Sequence, residues 1–168
     1  SEAWDGRGKA LHRLGKKEEA LESLNRSLAL DQSSAPRWVA LGDVLLGMGR
    51  DLDAAQAYDR AISIDINTTT AWNGIGTAYS RMGKYTEARQ FFLAALRTNG
   101  SYAPAAKNLG DTLVALQLWG EALRAYDQAL AMDPALASAA VARGDLLSRF
   151  GRNGEALSSY DQALGIDP

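Results

Sequence analysis

Apolar positions along this chain recur with a helical period that breaks at regular intervals. In the stretch 71–88, AWNGIGTAYSRMGKYTEA, residues Trp72, Ile75, Gly76 and Tyr79 follow at spacings of three, one and three, which places them on one face of a 3.6-residue helix. Gly83 and Lys84 then interrupt, because glycine weakens a helix and readily takes the left-handed conformation that ends one. Beyond the break Ala88, Phe92, Ala95 and Leu96 open a second apolar stripe at four, three and one. The pattern predicts two antiparallel helices joined by a short turn, touching where Gly76 and Ala88 are small. Neither helix can bury its apolar face alone.

A shift of 34 residues repeats the pattern along the whole chain. Trp38, Leu41, Gly42, Gly49, Ala54, Tyr58 and Ala61 stand one period earlier, and Leu109, Gly110, Ala122, Tyr126, Ala129 and Pro134 one period later. Another period gives Gly144, Leu147, Gly151, Ala156, Tyr160, Ala163 and Pro168, and the first copy holds Trp4, Gly8, Leu11, Gly15, Ala20, Leu24 and Ser27. Five copies result, 1–34, 35–68, 69–102, 103–136 and 137–168, and they leave almost nothing else. This pattern of W..LG..Y, then A...F..A and a closing DP resembles the tetratricopeptide repeat family. The resemblance implies an all-α fold, a right-handed α-solenoid of five antiparallel helix pairs in one domain. The chain opens on a running helical pattern and stops as its last helix ends, so a fragment of a longer protein is expected.

Local departures modify this frame. Ala35-Pro36 suits a first helical turn, where proline loses no hydrogen bond. Glu18 and Glu19, and later Asp51 and Asp53, favour the positive end of a helix dipole. Asn99-Gly100 stands where the last two copies carry Asp-Pro and predicts a looser turn, a mild hinge. Gln117 replaces the mid-repeat glycine, and Trp119 takes a position that the third copy gives to Tyr85, where a packed ring is expected. At the far end Leu157, Tyr160 and Leu164 present an apolar face that needs cover, by self-association or by further sequence.

Composition narrows the function. No window approaches the roughly 18 apolar residues of a membrane helix, no signal-peptide pattern opens the chain, and a cytoplasmic location is the working expectation. Cysteine is absent, which excludes disulfides and thiolate metal sites. The net charge of -2 does not make the cationic field that nucleic-acid binding demands. Charge is uneven, however: the third repeat carries Arg81, Lys84, Arg89 and Arg97 against Glu87 alone, between two mildly acidic neighbours. His12 is the one histidine, and no nucleophile elbow, phosphate loop or metal-ligand spacing occurs. No enzyme, cofactor or metal site is expected, and no nucleic-acid or membrane partner.

What remains is a binding surface. The resemblance implies a concave groove lined by the polar stripe of each first helix, a surface that binds peptides or partner helices in this family. Read by repeat position, candidates are Lys9, Asp43, Thr77, Asp111 and Asp145 at position 9, Asn73 and Lys107 at position 5, Asn108 at position 6, and Arg13, Arg81 and Arg149 at position 13. The carboxylates suit a basic side chain or the amides of an extended peptide. Asn73 and Asn108 each donate and accept, and small residues at position 6, such as Gly74, leave room for a ligand backbone. Family members that clamp a terminal carboxylate carry lysine at position 5 with asparagine at position 9. Here Lys107 is accompanied by Asp111, which repels a carboxylate, so that clamp is not expected. An interaction module holding a protein or peptide is thus the leading reading, with a self-associating spacer as the alternative.

Overall fold

The 34-residue period becomes ten helices among the described residues: α1 (Glu2–Arg13), α2 (Lys17–Leu30), α3 (Ala35–Gly47), α4 (Asp51–Ile64), α5 (Thr69–Arg81), α6 (Tyr85–Thr98), α7 (Ala103–Ala115), α8 (Trp119–Met132), α9 (Ala137–Arg149) and α10 (Asn153–Ile166). The computed structural model describes residues 1–166, so Asp167 and Pro168, the closing pair of the fifth copy, lie outside the described residues. Each repeat is one odd-numbered first helix and one even-numbered second helix. The turn inside a repeat needs a left-handed residue, and Gly15, Gly49, Gly83 and Gly151 supply it at φ of 72 to 77°. Gln117 makes the same turn at φ 61°, a conformation that costs an L-residue strain.

The turns between repeats are closed by a side chain. Asp31, Asp65 and Asp133 each accept, on a carboxylate oxygen, the backbone N–H two residues on. Asn99 does the same for Ser101 at 3.0 Å, and its φ and ψ of -143° and 101° match the -140° and 105° of Asp65. The expected loosening at Asn99-Gly100 is therefore not seen, because the local hydrogen bond and not the proline shapes this turn. Trp38 and Trp72 fasten the same turns from the next helix, each donating its indole N–H to a carbonyl six residues earlier, Gln32 and Ile66, at 2.9 and 2.8 Å.

Within a repeat, a glycine on the first helix receives the side chain at position 24 of the second. A Cβ built on Gly76 would stand 2.7 Å from the Phe92 ring, and Gly42, Gly110 and Gly144 meet Tyr58, Tyr126 and Tyr160 in the same way. The closest approach is thus glycine on ring; in the first repeat a Cβ on Gly8 would also stand 3.4 Å from the Ala20 carbonyl oxygen, the counterpart of the Gly76 and Ala88 pair, and Ala88 is fully buried. Trp119 packs as expected, half-buried on the core shared by the last three repeats and edge-on to Phe150 at 6.0 Å.

Successive repeats stack so that each second helix covers the next first helix. First helices also touch one another across repeats, α1 on α3, α3 on α5, α5 on α7 and α7 on α9, while no second helix among the described residues reaches the next second helix. First helices closer together than second helices give an array that curves, with the first helices inside. The positive third repeat is held by its neighbours: Arg81 reaches Asp51 at 3.2 Å and Arg89 reaches Glu121 at 3.0 Å. On the outer face of α10, Leu157 and Leu164 are 61% and 60% exposed, as expected, while Tyr160 is half-buried.

Candidate functional site

The inner face carries the residues expected there, but most arrive with partners. Asp43, Asp111 and Asp145 each accept a hydrogen bond from a tyrosine hydroxyl on the second helix of the same repeat, Tyr58 at 2.7 Å, Tyr126 at 2.9 Å and Tyr160 at 2.8 Å. These carboxylates are therefore not free groups on a groove floor; each spends one oxygen on satisfying a hydroxyl that the core half-encloses. The pairing is legible residue by residue. Where position 24 is Phe92 or Leu24, position 9 is Thr77 or Lys9, and no carboxylate stands there. Partial desolvation in the pocket raises the pKa of Asp43 above the usual carboxylate range even though the residue stays open to solvent, while the Tyr58 hydrogen bond and the nearby His12 pull it down. Burial also drives the hydroxyls of Tyr58 and Tyr126 well above the ordinary tyrosine value, with the partner carboxylate adding to the effect.

The remaining candidates divide by what they touch. Lys107 reaches Asp111 at 2.7 Å, so the charge that was expected to repel a carboxylate is neutralised one turn away. Lys9 pairs in the same manner with Asp5 at 2.7 Å. Thr77 turns its hydroxyl back onto the Asn73 carbonyl at 3.0 Å. Arg81 donates to the Leu46 carbonyl at 2.6 Å as well as facing Asp51, so it ties the second repeat to the third. Arg149 lies over the Trp119 ring, 4.4 Å from its centroid. The space expected at position 6 is also taken: a Cβ on Gly74 would stand 2.4 Å from the Tyr58 ring of the preceding repeat.

Two residues are brought together in a way that the separate columns do not announce. Asn108 Nδ2 donates to Asn73 Oδ1 at 3.1 Å, bridging α5 and α7 across the middle of the inner face. Whichever way the two amides are turned, a two-amide pair joined by one hydrogen bond keeps one NH2 and one carbonyl oxygen with capacity to spare. Both residues are half-buried. On either side the face opens into pockets. One of about 280 Å³ lies between α1 and α3, lined by Lys9, His12, Arg13, Val39 and Asp43. Another of about 250 Å³ lies between α7 and α9, lined by Asp111, Val114, Asp145 and Arg149. His12 brings a buried Nδ1 without a hydrogen-bond partner to the first.

No group of three or more His, Asp or Glu among the described residues is placed to hold a metal, and no helix is long and apolar enough to cross a membrane. The arrangement suits recognition by hydrogen bonds along a face that several helices build together.

Solved structures with the same architecture come from several proteins. PilF of Pseudomonas aeruginosa superposes with a TM-score of 0.89 at 24% identity, over 99% of this chain and 76% of that one. A thermophilic TPR protein of Thermus thermophilus gives 0.86 at 22%, over 99% and 91%. YrrB, described as a TPR protein with an unusual peptide-binding site, gives 0.70 at 21%, over 98% and 85%. No curated protein matches in sequence. Tetratricopeptide repeat models match residues 1–34, 35–67, 67–135 and 107–168, so that together they tile the ten helices from end to end. With the period, the helix pairs and these matches in agreement, the chain belongs to the tetratricopeptide repeat family.

Proposed function

We propose that this chain is a non-catalytic protein–protein interaction module that holds an extended peptide or a partner helix along its inner face. The observation that supports this reading best is the Asn73–Asn108 pair. A peptide backbone presents an N–H and a C=O at each residue, and a side-chain pair with one spare donor and one spare acceptor matches both at once. The pair sits mid-face, between the two pockets, where a ligand crossing the repeats must pass.

Asp43 and Asp145 extend the same face, exposed at the pockets on either side, each with one oxygen beyond its tyrosine bond. Together with the Lys107–Asp111 pair they favour ligands with separated basic side chains over strongly acidic ones. Arg13 and Arg149 set the outer edges. The five repeats act as one unit in this reading, because the face exists only when neighbouring first helices are aligned.

Binding of the purified chain to an array of short peptides of varied composition, at low and high salt, tests the proposal. Hits enriched in basic or extended peptides, weakened by salt, are expected. The Asn73→Ala, Asn108→Ala double variant should lose about tenfold or more in affinity for those hits with its melting temperature little changed. Undiminished binding by that variant would remove the inner face from consideration.

A further inference from the structure

The curvature that brings first helices together parts the second ones. Among the described residues α4 and α6 do not touch, and a groove opens between them on the outer face, with the first and fourth repeats beyond it on either side. Its floor is a row of rings on the third repeat: Phe91 lies 6.2 Å from the Trp72 ring at 27°, and 5.0 Å from the Tyr79 ring at 49°. On the Tyr79 side of Phe91 a cavity of about 510 Å³ is walled by Leu52, Ala55 and Arg60 of α4. On the Trp72 side another of about 530 Å³ is lined by Ile66, Asn67, Gln90 and Arg97. Both fall within the range of about 300 to 1,000 Å³ usual for ligand sites.

The repeat pattern does not demand a ring at Phe91. The same position holds Ser23, Ala57, Ala125 and Ser159 in the other copies, all small and all buried, whereas Phe91 is large and only half-buried. Leu52 and Ile66, one at each cavity, are 59% and 63% exposed. A single exposed aliphatic side chain is ordinary, but several gathered on a row of rings make a surface that a partner covers. Charge narrows what that partner is. Of the cations in the third repeat, Arg81 and Arg89 are neutralised by Asp51 and Glu121 of the neighbouring repeats, and Lys84 lies over the Tyr79 ring, 5.5 Å from its centroid. Arg97 makes no ion pair among the described residues, and no carboxylate lines its cavity. In the other cavity Asp59 and Arg60 offset each other. The Trp72 end of the groove is therefore apolar and positive, with the amides of Asn67 and Gln90 exposed beside it.

We propose that this groove binds an acidic peptide segment of a partner protein, with an aromatic side chain of the segment resting on Trp72 and Phe91 and a neighbouring carboxylate paired with Arg97. Removal of the rings and of Ile66 from water supplies the affinity. The ion pair, weak by itself at a surface, selects acidic segments over basic ones. The site shares no residue with the inner face, so one chain can hold two segments of unlike charge on opposite sides.

Fluorescence anisotropy of a short labelled peptide with one phenylalanine between aspartates tests this, beside the same peptide with lysines in place of the aspartates. Saturable binding of the aspartate peptide, weakened by salt, is expected. Phe91→Ala installs the residue that the second and fourth copies carry, and should weaken binding about tenfold or more. Arg97→Glu, at an exposed position, should do the same with its melting curve unchanged, and should shift the preference to the lysine peptide. The Asn73→Ala, Asn108→Ala variant should bind the aspartate peptide as the parent does, which separates a failure here from a failure of the inner-face reading. No saturable binding, equal binding of the lysine peptide by the parent, affinity unmoved by Arg97→Glu, or loss of binding in the asparagine double variant would each overturn the proposal.

Discussion

Tyr58, Tyr126 and Tyr160 make the same hydrogen bond in three settings, so removal of their hydroxyls should give a graded series. Tyr58 and Tyr126 are 1% and 2% exposed, while Tyr160 lies half-buried on an outer helix. Phenylalanine keeps the ring against Gly42, Gly110 or Gly144, so the substitution isolates the hydroxyl. A hydrogen bond to a charged acceptor contributes about 1.5 to 3 kcal/mol when its loss leaves the acceptor unsatisfied. Neither Asp43 nor Asp111 is left without a partner, since Asp43 still reaches water and the other oxygen of Asp111 is held by Lys107, so a loss of about 1 to 2 kcal/mol is expected for Tyr58→Phe, somewhat less for Tyr126→Phe, and under about 0.5 kcal/mol for Tyr160→Phe. At about 2 to 4 °C per kcal/mol for a chain of this size, the first shift is measurable by circular dichroism melts or urea unfolding. The third repeat supplies the control: it pairs Phe92 with Thr77, whose hydroxyl is satisfied by its own helix. Tyr58→Phe with Asp43→Thr imports that solution and should regain roughly half of the single variant's loss. Equal losses at all three tyrosines, or a double variant no more stable than Tyr58→Phe, would refute the reasoning.

Asp43→Asn keeps an acceptor for Tyr58 and removes a charge whose folded-state pKa is raised by burial. A raised pKa contributes stability that is full below the unfolded value and lost as pH rises through the folded one, so the variant should melt higher than the parent at neutral pH and equal it near pH 3, about a unit below the unfolded value of an aspartate; a difference independent of pH would contradict this. Gly76→Leu drives a side chain into the Phe92 ring and should destabilise the third repeat by about 3 kcal/mol or more, visible as a fall in the melting temperature. Gln117→Gly relieves the left-handed strain at φ 61°, and after the entropy of glycine is counted should stabilise by about 0.5 kcal/mol, read from the urea midpoint.

The repeat register was plain in the chain because period, glycine breaks and apolar stripes all agree on 34. Candidate groove residues were harder, since reading down one repeat position shows what faces inward but not what it faces. Asp43, Asp111 and Asp145 look like ligand-ready carboxylates in their column; only the tyrosine fifteen residues after each shows them to be acceptors for a core hydroxyl. That covariation was available, as was the Arg–Ser pairing at a spacing of sixteen that links Arg7 to Ser23 and Arg143 to Ser159. The Asn73–Asn108 bond was not available in the same way. It spans 35 residues, one more than the period, because the curvature brings position 6 of one first helix beside position 5 of the one before. Arg81 misled for a related reason: its long stem reaches back to the preceding repeat and spends the guanidinium there.

Among the described residues, every helix touches only those one or two places away along the chain. Thermodynamically such a molecule is a one-dimensional row of coupled units, and its unfolding is a matter of boundaries between folded and frayed segments. A terminal unit loses one interface when it opens and an internal unit loses two, so the row should melt inward from its ends. Amide exchange should be fastest in α1 and α10 and slowest around α5 to α7, where the amide pair resides. The segment proposed to grip a ligand is thus the one that the rest of the row keeps closed longest.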